Sequence, residues 1–469
     1  MGSNVFVQEL QIVDCLELLS ENYRNHIVRN MAIERLKLAK DDELEMFMVQ
    51  LVQSIKNESN YINPHTDIDD DVTLEEIDQI ESGDPEESAS LAGTTNDFHM
   101  VKDEESADPV VKFLTNPMLL SSRKRHKLAF KVPKLDSPLA NFIIDRACKN
   151  SNLMTFLYWD LKVEVEDEWI TNRAHLNTVS SGGVGLGFEE IDFVQDQIID
   201  DNNDDRRAQM RATSHIFEKT ILNLIWKLAN SEDGEALIKN LRSQVYLVGQ
   251  LHNIAQKIKV DYKKESTPRK VEILKSLLAD KHKKKSTIKS ITDGTGTLIA
   301  HRSISMLHVS ESDSLVDFPP ISAPIDPNVK LCGCYVEESA VFKSSLNPLK
   351  ISFKTKDGGK YPLMFKIGDD LRQDQFVVQI ISVMDKILQN ENLDLRLKPY
   401  KIMATAPVEG FIEFVPNSSL SSILANYNNS ILAYLQHFNP DPTAPHGVFP
   451  EAMDNYVRSC AGTLSLSLR

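Results

Sequence analysis

The sequence predicts an α+β chain, with an α-helical solenoid over the first half followed by a mixed, mostly antiparallel β-sheet with one packed helix. Three observations carry this. Apolar residues recur at helical spacing as far as about Val260, short runs at strand spacing replace them from Lys330 onward, and polar tracts separate the periodic segments. At 469 residues and 41% hydrophobic content the chain exceeds one ordinary core and can bury two or more.

The first sixty residues read as paired helices. Val28, Ala32, Leu36 and Ala39 outline one helix. Leu44, Phe47, Met48, Leu51, Val52 and Ile55 make an apolar stripe on a single following helix, behind the possible N-caps Asp41 and Asp42. The short Lys40-Asp41-Asp42 connection favours an antiparallel hairpin. Between Asp67 and Glu87 stand eleven acidic residues and no Lys or Arg. They belong to an insertion of about 64–109 that cannot bury enough apolar surface to offset its ordering entropy; an acidic docking segment is the alternative.

Helices resume at Ser137-Pro138, an N-cap followed by proline at the first helical position, and continue through Leu139, Phe142, Ile143, Ala147, Leu153, Phe156 and Leu157. A second polar break covers about 177–205. Its glycines, Gly182 to Gly187, lack the spacing of a dinucleotide fingerprint and follow no clear strand, so they read as a loop. Amphipathic helices then occupy about 214–229 and 235–260, which closes a helical domain at residue 262. Residues 263–325 are polar and read as a flexible linker. Its run Lys281-His282-Lys283-Lys284-Lys285 reads as a solvated cluster in preference to a nuclear address or an anionic-lipid contact.

From residue 326 the strand-like runs are 330–336, 349–354, 363–366, 399–404 and 411–415. Lys356-Asp357-Gly358-Gly359 supplies a turn between two of them. One helix interrupts the strands, with Val377, Ile380, Ile381, Met384 and Leu388 on one face. The result is a mostly antiparallel sheet with one packed helix, an arrangement that resembles a kinase amino-terminal lobe.

Composition excludes several functions. A formal charge of −16 and a pI near 5.3 argue against nucleic-acid binding, which needs a basic surface. Five cysteines form no disulfide framework, and Cys332-Gly333-Cys334 has no second pair to complete a zinc site, so a reducing intracellular compartment fits. No run of 18 uncharged apolar residues occurs, which leaves peripheral membrane contact at most.

The chemistry concentrates in Phe365-Lys366-Ile367-Gly368-Asp369-Asp370-Leu371-Arg372-Gln373-Asp374-Gln375. A lysine at the end of a buried strand needs an anion: nucleotide phosphates, or a helix carboxylate such as Asp374 in a purely structural pair. This stretch resembles the FK-x-GDDLRQD signature of phosphatidylinositol 3-kinases. Met384-Asp385-Lys386, Glu391-Asn392-Leu393-Asp394-Leu395 and Lys398-Pro399-Tyr400-Lys401 are more similar to the class III catalytic subunits than to class I. Upstream, Leu16-Glu17-Leu18-Leu19-Ser20 and Arg146-Ala147-Cys148-Lys149-Asn150-Ser151 resemble the accessory helical domain of that family.

The resemblance implies an ATP site. Lys366 would contact the nucleotide phosphates, Phe342-Lys343-Ser344-Ser345 would form the phosphate-binding loop, Asp374 and Tyr400 would line the inner adenine pocket, and Glu413, Phe414 and Val415 would be the hinge. Each has a bland counterpart: Lys343 a surface lysine, Tyr400 a core aromatic, Phe414 sheet packing. The resemblance further implies phosphorylation of phosphatidylinositol at the inositol 3-hydroxyl, magnesium or manganese, a regulatory protein-kinase-like subunit, a beclin-type scaffold, and work at endosomal and autophagic membranes.

The family's catalytic and metal loops follow the hinge, and neither is found after Gly462, where only residues 463–469 remain. The expectation is therefore a start of the carboxyl-terminal lobe without catalytic residues or protein metal ligands, and little activity from this chain alone. An incomplete gene model, or a non-catalytic protein binding partners through its helices, would account for it. Asp145 to Asn150 and Asp317-Phe318-Pro319 imitate the two missing loops and read as decoys.

Overall fold

The computed structural model describes residues 10–61, 134–180, 204–232, 234–279 and 315–467. The chain divides into two compact units, one of residues 1–249 with 287–310 and the other of residues 250–286 with 311–469. The acidic insertion, the Lys281 to Lys285 run and nearly all of the second polar break lie outside the described residues.

The first unit is helical. It contains α1 (Ile12–Leu18), α2 (His26–Leu36), α3 (Asp41–Met46), α4 (Met48–Ile55), a 3-10 turn (Lys56–Tyr61), α5 (Pro138–Ala147), α6 (Ser151–Ser180), α7 (Asp204–Ala229) and the first part of α8 (Gly234–Val260). The single helix expected over 44–55 is two, because the chain breaks at Phe47 (φ −113°, ψ 17°). Leu44, Met48, Leu51, Val52 and Ile55 still reach the core on either side of the break.

Neither Asp41 nor Asp42 caps. Lys40 holds the cap position, with its N–H donated to Glu43 at 3.0 Å. Asp41 is drawn away by Arg146 of α5 (2.5 Å) and by Asn150, which donates to it at 2.9 Å. Ser137 does cap α5, its hydroxyl oxygen accepting from Ala140 N–H at 3.0 Å with Pro138 next in line.

One buried ion pair ties this unit together. Arg29 of α2 lies 3.6 Å from Glu58, and the two side chains are 3% and 4% exposed. Arg29 donates to the carbonyls of Leu19 (2.8 Å) and Ser54 (3.3 Å). Glu58 accepts from the Ser137 hydroxyl and from Leu139 N–H (3.2 Å), so a carboxylate sits at the positive end of α5. Both flanks of residues 62–133 thus meet at one buried group. Deeper in the core, fully buried Trp159 of α6 donates to Gln244 of α8 at 3.1 Å.

The second unit holds the last turns of α8, α9 (Thr267–Ala279) and a seven-stranded sheet. Its strands are β1 (Asp317–Ala323), β2 (Asp326–Cys334), β3 (Ala340–Val341), β4 (Leu349–Thr355), β5 (Lys360–Ile367), β6 (Ile402–Ala406) and β7 (Glu409–Glu413). The order is β1-β2-β4-β5-β7-β6, with β3 pairing β4, and every pairing is antiparallel.

The stretch 263–325, expected to be a linker, contributes α9 and β1. Lys270, Leu274 and Leu278 fall four apart and are buried, a period that the abundance of lysine obscures. In β1, Pro319 and Pro320 are tolerated because the strand lies at the sheet edge. The Asp357-Gly358 turn forms as expected: Gly358 takes φ 84° and donates to Thr355 O at 2.9 Å.

Alternation divides the sheet. Leu349, Ile351, Phe353, Leu363, Phe365, Ile367 and Phe411 are buried on one face, while Lys350, Met364, Lys366 and Ile412 stand partly open on the other. After β5 comes α10 (Arg372–Asn390), and after β7 come α11 (Leu420–Asn426), α12 (Ile431–Phe438) and α13 (Pro450–Ser467). The expected apolar stripe on α10 exists but none of its residues is fully buried. The helix is anchored instead through its start: Leu371 is fully buried, and Gln375 accepts from Ala404 N–H of β6 at 3.1 Å.

Candidate functional site

Sheet register assembles the site. Val341, Leu349 and Phe365 form one row across β3, β4 and β5. Since β3 and β5 each run antiparallel to β4, they run in the same direction, and the next residues, Phe342 and Lys366, leave by the same edge. Two strand spacings put their backbones about 10 Å apart.

The loop after β3 is closed by Phe342 N–H donating to Pro348 O at 3.0 Å. Inside it Asn347 takes φ 49° and donates its N–H to Ser344 O (3.2 Å) and its side-chain N–H to Ser345 O (3.3 Å). Leu346 N–H reaches the Ser344 hydroxyl oxygen at 3.4 Å, which leaves that hydroxyl's proton available. Lys343, Ser344 and Ser345 are exposed, and their three successive N–H groups have no partner among the described residues. Adjacent unpaired amides of this kind make an anion-binding concavity without a glycine-rich motif.

Lys366, the last residue but one of β5, has its side chain 21% exposed and its ammonium 3.0 Å from Asp369. Asp374, the structural partner considered from sequence, is exposed in the first turn of α10 and does not pair with Lys366. The difference is geometric. Gly368 takes φ 86° and donates to Val408 O at 2.7 Å, so the chain turns sharply and returns Asp369 to the lysine three residues earlier. Asp370 accepts from Arg372 N–H (3.0 Å) and from its guanidinium (2.8 and 2.9 Å), fixing the start of α10. Partial burial pushes the Asp370 carboxyl up, but these hydrogen bonds outweigh it and hold the pKa below the usual value.

Opposite Lys366 across β7 stands Gly410, where a Cβ would run into Met403 O and Ala404 of β6. The next row on the open face is Lys350, Met364 and Ile412. Sequence reasoning passed over Met364 and Ile412; their signal was parity, since Met364 is two residues before Lys366 and shares its face.

At the far end of β7 the hinge candidates divide their backbone groups. Glu413 N–H donates to Lys401 O (2.8 Å) and Phe414 N–H to Pro362 O (3.1 Å), while Val415 N–H has no partner among the described residues. The Phe414 ring stacks on Phe342 with centroids 6.0 Å apart and lies under the Lys350 ammonium at 4.4 Å. Its side chain is therefore engaged with protein, as the bland alternative had it. Lys401 pairs with Glu413, so Tyr400, itself 40% exposed, comes next to Phe414 in register on the open face. Lys343, Ser344 and Ser345 thus follow β3 at the end of the sheet where Lys366 lies, Tyr400 and Val415 lie past the far end of β7, and Asp374 makes no ion pair with Lys366.

The two decoys carry structural pairs. Asp145 binds Lys227, Arg146 binds Asp41, and Asp317 lies 2.7 Å from Lys354. All five cysteines are free. Among the described residues no group of three His, Cys, Asp or Glu could hold a metal, and no helix is long and apolar enough to cross a membrane.

Residues 7–181 match the phosphoinositide 3-kinase family accessory domain (PIK domain), and residues 360–469 match the phosphatidylinositol 3- and 4-kinase domain. The chain is 35% identical over 459 residues to the phosphatidylinositol 3-kinase VPS34 of Saccharomyces cerevisiae, covering 97% of this chain and 40% of that protein. It is 32% identical to the phosphatidylinositol 3-kinase pik3 of Schizosaccharomyces pombe (97% of this chain, 39% of that protein). It is 29% identical to phosphatidylinositol 3-kinase VPS34 of Arabidopsis thaliana (97% and 38%). The chain spans about two fifths of the length of these relatives.

Proposed function

From a chain that belongs to the phosphatidylinositol 3-kinases of the class III type, carrying an accessory helical domain and residues of the kinase domain, we propose that the open sheet face binds ATP as phosphoryl donor to phosphatidylinositol. The observation that carries this is the juxtaposition of three unpaired amides at Lys343, Ser344 and Ser345 with the Lys366 ammonium at one sheet edge.

The loop amides and the Ser344 hydroxyl donate to phosphate oxygens, and Lys366 adds a charge-assisted donor. Asp369 keeps that lysine oriented while leaving it partly exposed. Val415 N–H is the free donor for an adenine edge, over a floor made by Met364 and Ile412. Tyr400 borders the same face, and Asp374 lines the inner pocket only if α10 brings it toward Lys366. The family uses magnesium or manganese with ATP; the described residues do not assemble a metal site, so no step is assigned to metal.

In the proposed reaction the inositol 3-hydroxyl oxygen forms a bond to the γ-phosphorus, the bond to the β,γ-bridging oxygen breaks, and ADP leaves. This chain's derived share is holding the donor. We extend the proposal to the family's setting: marking of endosomal and autophagic membranes from the cytoplasmic side, with a regulatory protein-kinase-like subunit and a beclin-type scaffold as partners of the helical domain.

Titration of the purified chain with a fluorescent ATP analogue, competed with ATP, tests the site. Saturable binding is expected to weaken about 100-fold in Lys366→Met, the scale of one or more lost charge-assisted hydrogen bonds. Equal binding by wild type and variant, or none by either, overturns it. In cells carrying the gene, the same substitution should abolish the 3-phosphorylated lipid formed by its product.

A further inference from the structure

The candidate phosphate loop is held from outside the sheet. Lys270 on α9 is 6% exposed, and its ammonium donates to Asn347 Oδ1 at 3.0 Å and to Lys263 O at 3.2 Å. Asn347 is the residue whose left-handed φ of 49° turns the loop back toward β4, and its other side-chain atom donates to Ser345 O. One amide side chain therefore links the loop interior to a buried cation. One further pair fastens the same helix, and a second side chain lies near the loop. Lys275 of α9 pairs with Glu337 just before β3 at 2.7 Å, and Lys259 of α8 lies where a side chain on Gly368 would be, with Leu346 of the loop beside it.

We propose that Lys270 is a positioning residue for phosphate binding: through Asn347 it fixes the loop in the shape that leaves the Lys343, Ser344 and Ser345 amides unpaired. The inference rests on the nucleotide reading of that loop. Lys270 contacts no phosphate itself. Without its bond, Asn347 Oδ1 is free to capture a neighbouring loop N–H, and the concavity closes on itself.

The physical logic is one of unequal alternatives. A buried ammonium that loses an acceptor is costly, so the bond persists unless one partner is removed. The loop is thereby preorganised before nucleotide arrives, and less ordering is charged against binding.

The full chain tests this with Lys270→Met, Asn347→Gly and the double variant. Glycine keeps the positive φ while deleting the acceptor, so it spares the backbone and approaches the bond from the side that does not disturb α9. Each single change is expected to weaken fluorescent ATP-analogue binding about tenfold, and the double change no further, because both remove one bond. Hydrogen exchange without nucleotide should accelerate at Phe342, Leu346 and Asn347, with α9 unchanged in Asn347→Gly.

Wild-type affinity in Asn347→Gly, fully additive losses in the double variant, or acceleration spread over α9 without the loop overturns the proposal. Lys366→Met separates this from the broader claim. If that variant binds nucleotide as wild type does, the ATP site has failed, and exchange alone then decides whether Lys270 shapes the loop. If Lys366→Met abolishes binding while Lys270→Met and Asn347→Gly do not affect it, only the positioning role has failed.

Discussion

Each unit contains a cation facing a carboxylate, and the two pairs are built to opposite ends. Arg29 and Glu58 are almost wholly buried and multiply bonded: three backbone carbonyls accept from Arg29, whose Nε alone has no partner among the described residues, and a hydroxyl and an amide donate to Glu58. Lys366 and Asp369 are half-buried, close in sequence, and joined by one contact beside unpaired loop amides. Depth of burial and the number of hydrogen bonds, more than the presence of opposite charges, separate a pair that holds a fold from one that can take a ligand.

The largest expected effect breaks the first pair. Arg29→Met leaves Glu58 buried without its cation and three backbone carbonyls without their donor, and should destabilise the first unit by about 3–5 kcal/mol in chemical denaturation. Lys366→Met should lower stability by no more than about 1 kcal/mol while weakening nucleotide binding about 100-fold, since its ion pair is partly solvated. If both substitutions act mainly on stability, the distinction between the pairs is lost.

Proton linkage sharpens the contrast. Burial raises the Glu58 carboxyl pKa, opposed by Ser137, Arg29 and Leu139. A folded-state value above the unfolded one favours the protonated folded form, so this group's contribution is full below the unfolded pKa and is lost as pH rises through the folded one. The stability advantage of wild type over Glu58→Gln should therefore grow as pH is lowered from neutrality, measured by denaturation at several pH values.

A smaller effect concerns the base of residues 62–133. Because Glu58 already joins Ser137 and Leu139, replacing the 72 residues between Tyr61 and Lys134 by about six flexible ones should leave the first unit folded. The change should be stabilising and within about 2 kcal/mol, from loop-closure entropy. Loss of the helical fold would show that the clamp does not act alone. The smallest effect is at Asp370. Its depressed pKa gives stability present above the unfolded carboxylate value and lost as pH falls through the folded one. Asp370→Asn should cost about 1 kcal/mol or less near neutrality, with the difference vanishing in acid.

What the sequence revealed depended on range. Ser137-Pro138 and the Asp357-Gly358 turn were legible because each rests on neighbours a few residues away. The strand ending at Lys366 and its resemblance were legible for the same reason. Helix α9 was hidden because three buried positions, including a lysine, sit among exposed charges. Strand β1 was hidden by two prolines that only an edge position permits. The diversion of Asp41 needed Arg146, a partner 105 residues away. At the site, the ordered residues were visible, but Met364, Ile412 and the Lys270 to Asn347 bond required sheet register and a helix packed behind the loop.

The single row through Val341, Leu349 and Phe365 also works as a reading frame. Side chains change face with every residue along β5, so one residue inserted between Leu363 and Lys366 would turn the lysine inward and bring a buried aromatic to the open face. The hairpin turn that sets this phase lies remote from any phosphate, at Asp357 to Gly359. Length changes should therefore be tolerated in the long stretch clamped by Glu58 and punished within β5, where a frame slip costs the core and the ligand face together.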